Sequence, residues 1–196
     1  MWLWLTPIVV IVRLPPPALF CLHGVRYVVP SFTEQSSNSE VFSPIIYRAK
    51  FPDMAAGGKS LVPLLNKFIK TIGETGGLDV ALQGCKVVSA SPGACTLSLV
   101  VEPAHANRIG TMHGGFSAHL VDSVTTMALM TVGEDPKPGV SVDMNVTYMK
   151  PALVGEEIFV DARTLRAGKK LAFLECEIRN KNQQVLVKGS HTKFVG

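Results

Sequence analysis

Between Gly114 and Val132 the chain reads GGFSAHLVDSVTTMALMTV, and this run decides the fold. Phe116, Leu120, Val121, Val124, Met127, Ala128, Leu129 and Met130 cover nearly every face of a 3.6-residue period and leave few charged positions. A helix that is apolar all round belongs inside a protein. Two glycines open it, and Gly133 with Pro136 closes it.

What encloses the helix is written on either side of it. Downstream, Val140, Val142, Met144, Val146 and Tyr148 alternate with Ser141, Asp143, Asn145 and Thr147. That period of two predicts a strand with one apolar face, and it turns Ser141 away from the apolar stripe. Three more strands are expected over 157–166, 170–179 and 184–194, with turns at Gly168 and Asn182. Upstream, strands over 85–90 and 94–101 meet at Ser91-Pro92-Gly93, a hairpin signal. Before them, Leu61, Leu64, Leu65, Phe68, Ile69 and Ile72 keep helical spacing up to Gly76–Gly77. Residues 102–113 read as a loop. The order is helix, two strands, buried helix, four strands. This predicts an α+β domain with one antiparallel sheet wrapped around a central buried helix.

A length of 196 residues accommodates one such domain and something extra. With 17% charged residues the chain reads as globular. The net charge of +4 is scattered, so it argues against nucleic acid and suits a small anionic ligand. Cys21, Cys85, Cys95 and Cys176 form no CxxC pair and no zinc spacing, which predicts buried free thiols in a reducing compartment. Residues 1–53 read as an extension separate from a domain at 54–196. Its first 12 residues are apolar, Pro7 and Pro15 to Pro17 break it, and residues 31–44 form a Ser-rich polar linker. Three readings stay open for it: a divergent organelle-targeting segment, a membrane-associating tail over 1–30, or an upstream extension ahead of a usual start at Met54. The last is favoured. The expected location is cytoplasmic or mitochondrial.

Chemistry concentrates in His105-Ala106-Asn107-Arg108-Ile109-Gly110-Thr111-Met112-His113-Gly114-Gly115, followed by Asp122. Glycines at a helix start let a ligand approach the backbone, where unpaired N–H groups and the dipole favour an oxyanion. They also simply permit a tight turn. Asp122 lies about two turns beyond Gly115, a carboxylate in an apolar helix that needs a partner or a task. Ser123 or Thr126 could satisfy it, or it could act as a base. The amide of Asn107 can donate to a carbonyl.

These elements, with Gly139-Val140-Ser141-Val142-Asp143-Met144, resemble the hotdog-fold thioesterases of the PaaI-like group. The likeness runs from about Ser60 to the C-terminus and includes Asn145 to Pro151 and His191-Thr192-Lys193. It does not cover residues 1–53, and the turn near Asn182 is shorter than the pattern. The resemblance implies a hotdog fold with a six-stranded sheet and hydrolysis of acyl-CoA without metal or other cofactor. Medium- to long-chain fatty acyl groups are the expected substrates. The Gly114 N–H and the Asn107 side chain would polarise the thioester carbonyl. Asp122 would activate water that Ser141 helps to hold, and His113 would position the loop. Coenzyme A would lie along Tyr148, Lys150 and Pro151 and along Arg166, Gly168, Lys169 and Lys170. The resemblance also implies a homo-oligomer, a dimer of dimers, with Asp122 and Ser141 supplied by the neighbour of the subunit supplying Asn107 and Gly114. Two alternatives remain: a non-catalytic acyl-CoA-binding module, and an acyl-thioester hydratase or dehydratase. The second would need an acid/base histidine for Asp122, and only His119 lies near it on the helix.

Overall fold

The computed structural model describes residues 60–133 and 137–196. The segment 1–53, the boundary at Met54 and the targeting and membrane readings attached to it lie outside those residues. Two helices and six strands follow in the expected order: α1 (Leu61–Glu74), β1 (Lys86–Ser91), β2 (Ala94–Val100), α2 (Gly114–Met130), β3 (Val140–Tyr148), β4 (Glu157–Ala167), β5 (Leu171–Asn180) and β6 (Val185–Phe194). Short 3₁₀ turns at Gly77–Leu82 and Pro103–His105 lie in stretches that carry no such signal in the sequence.

The sheet is antiparallel throughout, in the order β1-β2-β4-β5-β6-β3. Its concave face closes on α2. Leu120, Val121, Val124, Met127 and Ala128 are fully buried there, in one core with Leu97, Ile158, Val160 and Ile178. Each such Leu, Val or Met side chain withdrawn from water contributes roughly 1.5–3 kcal/mol, so burial of α2 is a major apolar contribution to the domain. The β1 edge is covered by α1. Asn66 on that helix accepts from the Val87 N–H at 2.9 Å and donates to the Val87 carbonyl at 3.0 Å, satisfying backbone that an edge strand leaves open.

The other edge, β3, departs from the sequence reading in two ways. Its register against β6 runs Ser141↔Lys193, then Asp143↔Thr192 and Met144↔His191, with an irregularity between Ser141 and Asp143. A bulge adds one residue and reverses the phase of everything before it. Ser141 therefore shares the concave face with Met144, Val146 and Tyr148 instead of facing away from them. Moreover, apart from Val146, which packs against the core, the strand's apolar residues are left exposed by the rest of the chain: Val140 is 70% exposed, Val142 60% and Tyr148 55%.

Where α2 meets the sheet, β6 approaches it at a glycine. A Cβ built on Gly189 would fall 2.6 Å from Cγ1 of Val121, closer than real Cβ contacts come. We expect Gly189→Ala to destabilise the domain by about 1–3 kcal/mol, as overpacking does. Adding Val121→Ala should recover part of that loss. Denaturant unfolding of the two variants checks this, and a stable single variant would show that α2 is free to shift.

Candidate active site

The loop ahead of α2 is fixed from below. His105 is buried and stacks on Phe116 of α2, ring centroids 4.3 Å apart and nearly parallel. Its Nδ1 accepts from the Glu102 N–H and its carbonyl accepts from the His113 N–H at 2.8 Å. Above that anchor, the Asn107 Oδ1 accepts from the backbone N–H groups of Ile109 and Thr111, at 3.0 and 3.3 Å. Its Nδ2 donates to Thr111 Oγ1 at 2.8 Å. The amide oxygen is thus taken by the loop, and the second Nδ2 proton remains to be offered.

His113 is the N-cap of α2. Its Nδ1 accepts from the Gly115 N–H at 2.9 Å, so the neutral ring carries its proton on Nε2. A positioning residue is expected here from the sequence, and the contact that His113 makes is with the helix start. The Gly114 N–H donates to no atom among the described residues, although it sits at the positive end of the helix. Tyr148 donates its hydroxyl to the Gly114 carbonyl at 3.0 Å and lays its ring beside the Gly114 Cα. A cavity of about 310 Å³ opens here, lined by Gly114, Tyr148, Lys150 and Pro151 together with Met112 and Met149.

Asp122 belongs to a second cluster. It is not buried: its side chain is 45% exposed, where α2 comes up to β3 and β6. One oxygen, Oδ1, gathers its contacts. Lys193 Nζ lies at 3.4 Å, Ser141 Oγ and Thr126 Oγ1 at 3.5 Å, and His191 Nε2 at 3.8 Å. Of the two neighbouring hydroxyls that could satisfy it, Thr126 comes within reach but donates to the Asp122 backbone carbonyl at 2.7 Å, and Ser123 makes no hydrogen bond to it among the described residues. Thr125 spends its hydroxyl proton on the Val121 carbonyl, so its 2.7 Å contact with His191 Nδ1 is accepted from the ring. His191 Nε2 then accepts from Ser141 Oγ at 2.9 Å. Burial, and then the Lys193 ammonium, lower the pKa of His191, so the ring is held neutral. Ser141 is therefore an oriented hydroxyl. A histidine backed by a neutral threonine and facing an ammonium is poorly placed to become the imidazolium that a serine nucleophile requires.

Neither His191 nor Lys193 is singled out by the sequence reading, which includes them only within a matching tripeptide. Their signal is period two on β6, where Val187, Gly189, His191 and Lys193 share one face; a polar residue on an otherwise core-facing stripe marks a site. His119, the histidine next to Asp122 in sequence, turns elsewhere. Its Nε2 lies 3.6 Å from Asp79 Oδ1, and burial lowers its pKa.

The residues expected to hold coenzyme A divide between the two ends of α2. Tyr148, Lys150 and Pro151 border the cavity at its start. Gly168 and Lys169 line another, of about 290 Å³, with Leu129, Val132 and Lys137 at its end. Arg166 pairs with Phe173 across the β4–β5 ladder, and the Lys170 carbonyl accepts from Val195; neither residue lines either of these two cavities. Cys85, Cys95 and Cys176 are buried free thiols, and burial pushes the first two up to about 12.

Residues 109–187 match the thioesterase superfamily model. Mouse acyl-coenzyme A thioesterase 13 is 44% identical over 138 residues, which are 70% of this chain and 98% of the mouse protein. The human protein of the same name is 43% identical over the same shares. The chain belongs to the thioesterase superfamily. The crystal structure of zebra fish thioesterase superfamily member 2 superposes with a TM-score of 0.67 at 41% identity, covering 69% of this chain and 98% of that one. The hotdog architecture implied by the sequence is the one observed, and this thioesterase is an enzyme of the hydrolase class.

Because the pKa values of His119 and His191 lie below the ordinary 6.5, the unfolded thioesterase binds more protons than the folded one at mildly acid pH. Their contribution to stability is complete above pH 6.5 and is lost as pH falls through the lowered values. We expect His119→Gln and His191→Gln to flatten the decline of thermal stability between roughly pH 7 and pH 5. Melting curves across that range check it; an unchanged slope in both variants would contradict it.

Proposed function

We propose that this thioesterase hydrolyses acyl-CoA thioesters, with medium- to long-chain acyl groups, at a site built between two copies of the chain. The observation that carries the reading is a separation. The unpaired Gly114 N–H and the Asp122 carboxylate are eight residues apart on one straight helix, about 12 Å along its axis at 1.5 Å per residue. No hydrogen bond or ion pair links the two groups among the described residues. A carbonyl held at Gly114 and Asn107 is therefore out of reach of a water on the same chain's Asp122. The exposed β3 edge supports the remedy. Two copies pairing β3 with β3 in antiparallel fashion form an isologous interface and set their α2 helices antiparallel. Each Gly114 then faces the partner subunit's carboxylate. The same pairing brings together the two cavities at opposite ends of α2, which suits a ligand as long as coenzyme A.

The chemistry follows from these groups. The carbonyl oxygen accepts from the Gly114 N–H and Asn107 Nδ2, donors that strengthen as negative charge develops. Asp122 of the other copy takes a proton from water, held by Ser141, as its oxygen bonds to the carbonyl carbon. The tetrahedral intermediate collapses, the C–S bond breaks, and the proton goes to the departing thiolate, giving free acid and CoA thiol. Likeness to proteins named acyl-coenzyme A thioesterase 13 supports the substrate class. A hydratase would use Asp122 with a histidine as acid and base. His191 of β6 does stand beside Asp122, but it is occupied by Ser141 and Thr125 and resists protonation.

Asp122→Asn is expected to lower kcat by about 10²–10⁴ with the fold intact, the usual loss for a general base. Thiol release from acyl-CoA, followed with a thiol reagent, measures it. Retention of more than half the rate would remove Asp122 from the mechanism, and wild-type binding without any thiol release would identify a carrier instead.

Asn107→Ala and Asp122→Ala test the shared site together. When the two inactive chains are unfolded, mixed equally and refolded, random pairing makes about half the dimers mixed, each with one intact site, so roughly a quarter of wild-type activity should return. Mixed dimers confirmed by mass but without activity would show that each site lies within one chain.

A further inference from the structure

Lys193 is a cation in an unusual place. It is 4% exposed, on the concave face of β6, and reaches under α2 rather than out to solvent. Burying an ammonium costs several kcal/mol unless geometry and hydrogen bonds offset it. Two contacts do so. Nζ donates to Thr126 Oγ1 at 2.7 Å and faces Asp122 Oδ1 at 3.4 Å. Thr126 in turn donates to the Asp122 backbone carbonyl at 2.7 Å, so lysine, threonine and aspartate lock onto one helical turn. Every contact to the carboxylate falls on Oδ1; among the described residues none reaches Oδ2.

We propose that Lys193 is a positioning residue for catalysis: it anchors Oδ1 of Asp122 so that Oδ2 is held at a fixed angle toward the attacking water. This rests on Asp122 acting as the base. A carboxylate that is nearly half exposed turns freely about its last bond unless one oxygen is held, and a misaligned base forfeits the orientation on which proton transfer depends. Ser141 and Thr126 spend their protons on His191 Nε2 and on the Asp122 backbone carbonyl, so among the described residues Lys193 is the donor left for Oδ1, and it carries charge. It meets no substrate, since it lies beneath Asp122.

A lysine that merely packs would not govern turnover. In the full chain, Lys193→Met should lower kcat roughly 10- to 100-fold, the scale of a displaced catalytic group, while KM changes less than about threefold. Lys193→Ala should regain part of its kcat with added ethylammonium. Burial lowers the Lys193 pKa and Asp122 opposes the shift, so the ammonium loses its proton below the ordinary 10.5. The titratable groups that face it are Asp122 on α2 and His191 on the same strand, and Asp143 on β3 acts on His191. Wild-type kcat should accordingly fall on the alkaline side of neutrality, and Lys193→Met should lack that limb. Thr126→Val keeps the charge but removes its clamp. It should lose kcat severalfold at unchanged KM and keep the alkaline limb. If Lys193→Met does not fold, Thr126→Val and the wild-type alkaline limb decide the matter. A fully active Lys193→Met, a loss confined to KM, or wild-type and Thr126→Val profiles with no alkaline limb and no loss of kcat would overturn the proposal. An active Asp122→Asn would instead remove the base itself. An inactive Asp122→Asn beside a fast Lys193→Met leaves the base standing and discards only the anchor.

Discussion

A helix that is apolar on all but one narrow stripe has to be enclosed on most sides, and enclosing α2 constrains the rest of this fold. Only the stripe of His119, Asp122, Ser123 and Thr126 stays partly open, so a flat sheet against one side is not enough; six strands curve around the rest. The curvature demands one very close approach, and Gly189 provides it against Val121. The ends of the helix cannot be enclosed in the same way, because the first N–H groups and last carbonyls need partners. Chemistry therefore collects at the start of α2 and at the one seam beside it, where β3 leaves Asp122 nearly half exposed.

That seam is where polar groups enter an otherwise apolar interior. Thr125, Thr126, Asp122, Ser141, His191 and Lys193 come from one helix and two strands, and each finds a partner in another. Such a network is costly if any member is left unpaired, since desolvated polar groups are expensive. Its burial also sets its protonation: His191 is held neutral by burial and by the neighbouring ammonium. The cluster is thus prearranged with one charge pair and neutral hydroxyls around it, a stable ground state for the carboxylate proposed as base.

Most of the fold is legible in the sequence because it rests on periodicity. The apolar run from Phe116 to Met130 and the alternation along β4, β5 and β6 give element type and order, and the observed ends fall within a residue or two of those expected. The 3₁₀ turns are not legible, being too short to show a period. The facing of Ser141 is hidden for a different reason. Strand alternation gives a phase only if no residue is inserted, and the bulge between Ser141 and Asp143 is a property of pairing with β6 rather than of β3 alone. The site is legible in part. Glycine pairs, the Asn107 loop and Asp122 carry local signals. Lys193 and His191 lie some 70 residues further on, and only the β5–β6–β3 pairing brings them beneath Asp122.

The β3 edge also bears on the proposed sharing of the site between two chains. An open strand with Val140, Val142 and Tyr148 in water is a template for uncontrolled association unless something covers it. The chain covers its opposite edge internally, with Asn66 of α1 on β1, and has no comparable helix at β3 among the described residues. A second copy would solve this packing problem and the catalytic one together. Pairing buries the apolar strand, and its two-fold symmetry turns a separation of about 12 Å along one helix into a juxtaposition across two. The charge pattern fits the same geometry: the proposed oxyanion donors lie at one end of α2, the proposed base at its middle and Lys137 and Lys169 at its far end, so that antiparallel helices would set donors against base and cations against the cavity at Tyr148. On this reading assembly is a condition of activity, because neither the donors nor the base of one chain has a substrate atom to act on until the other chain arrives.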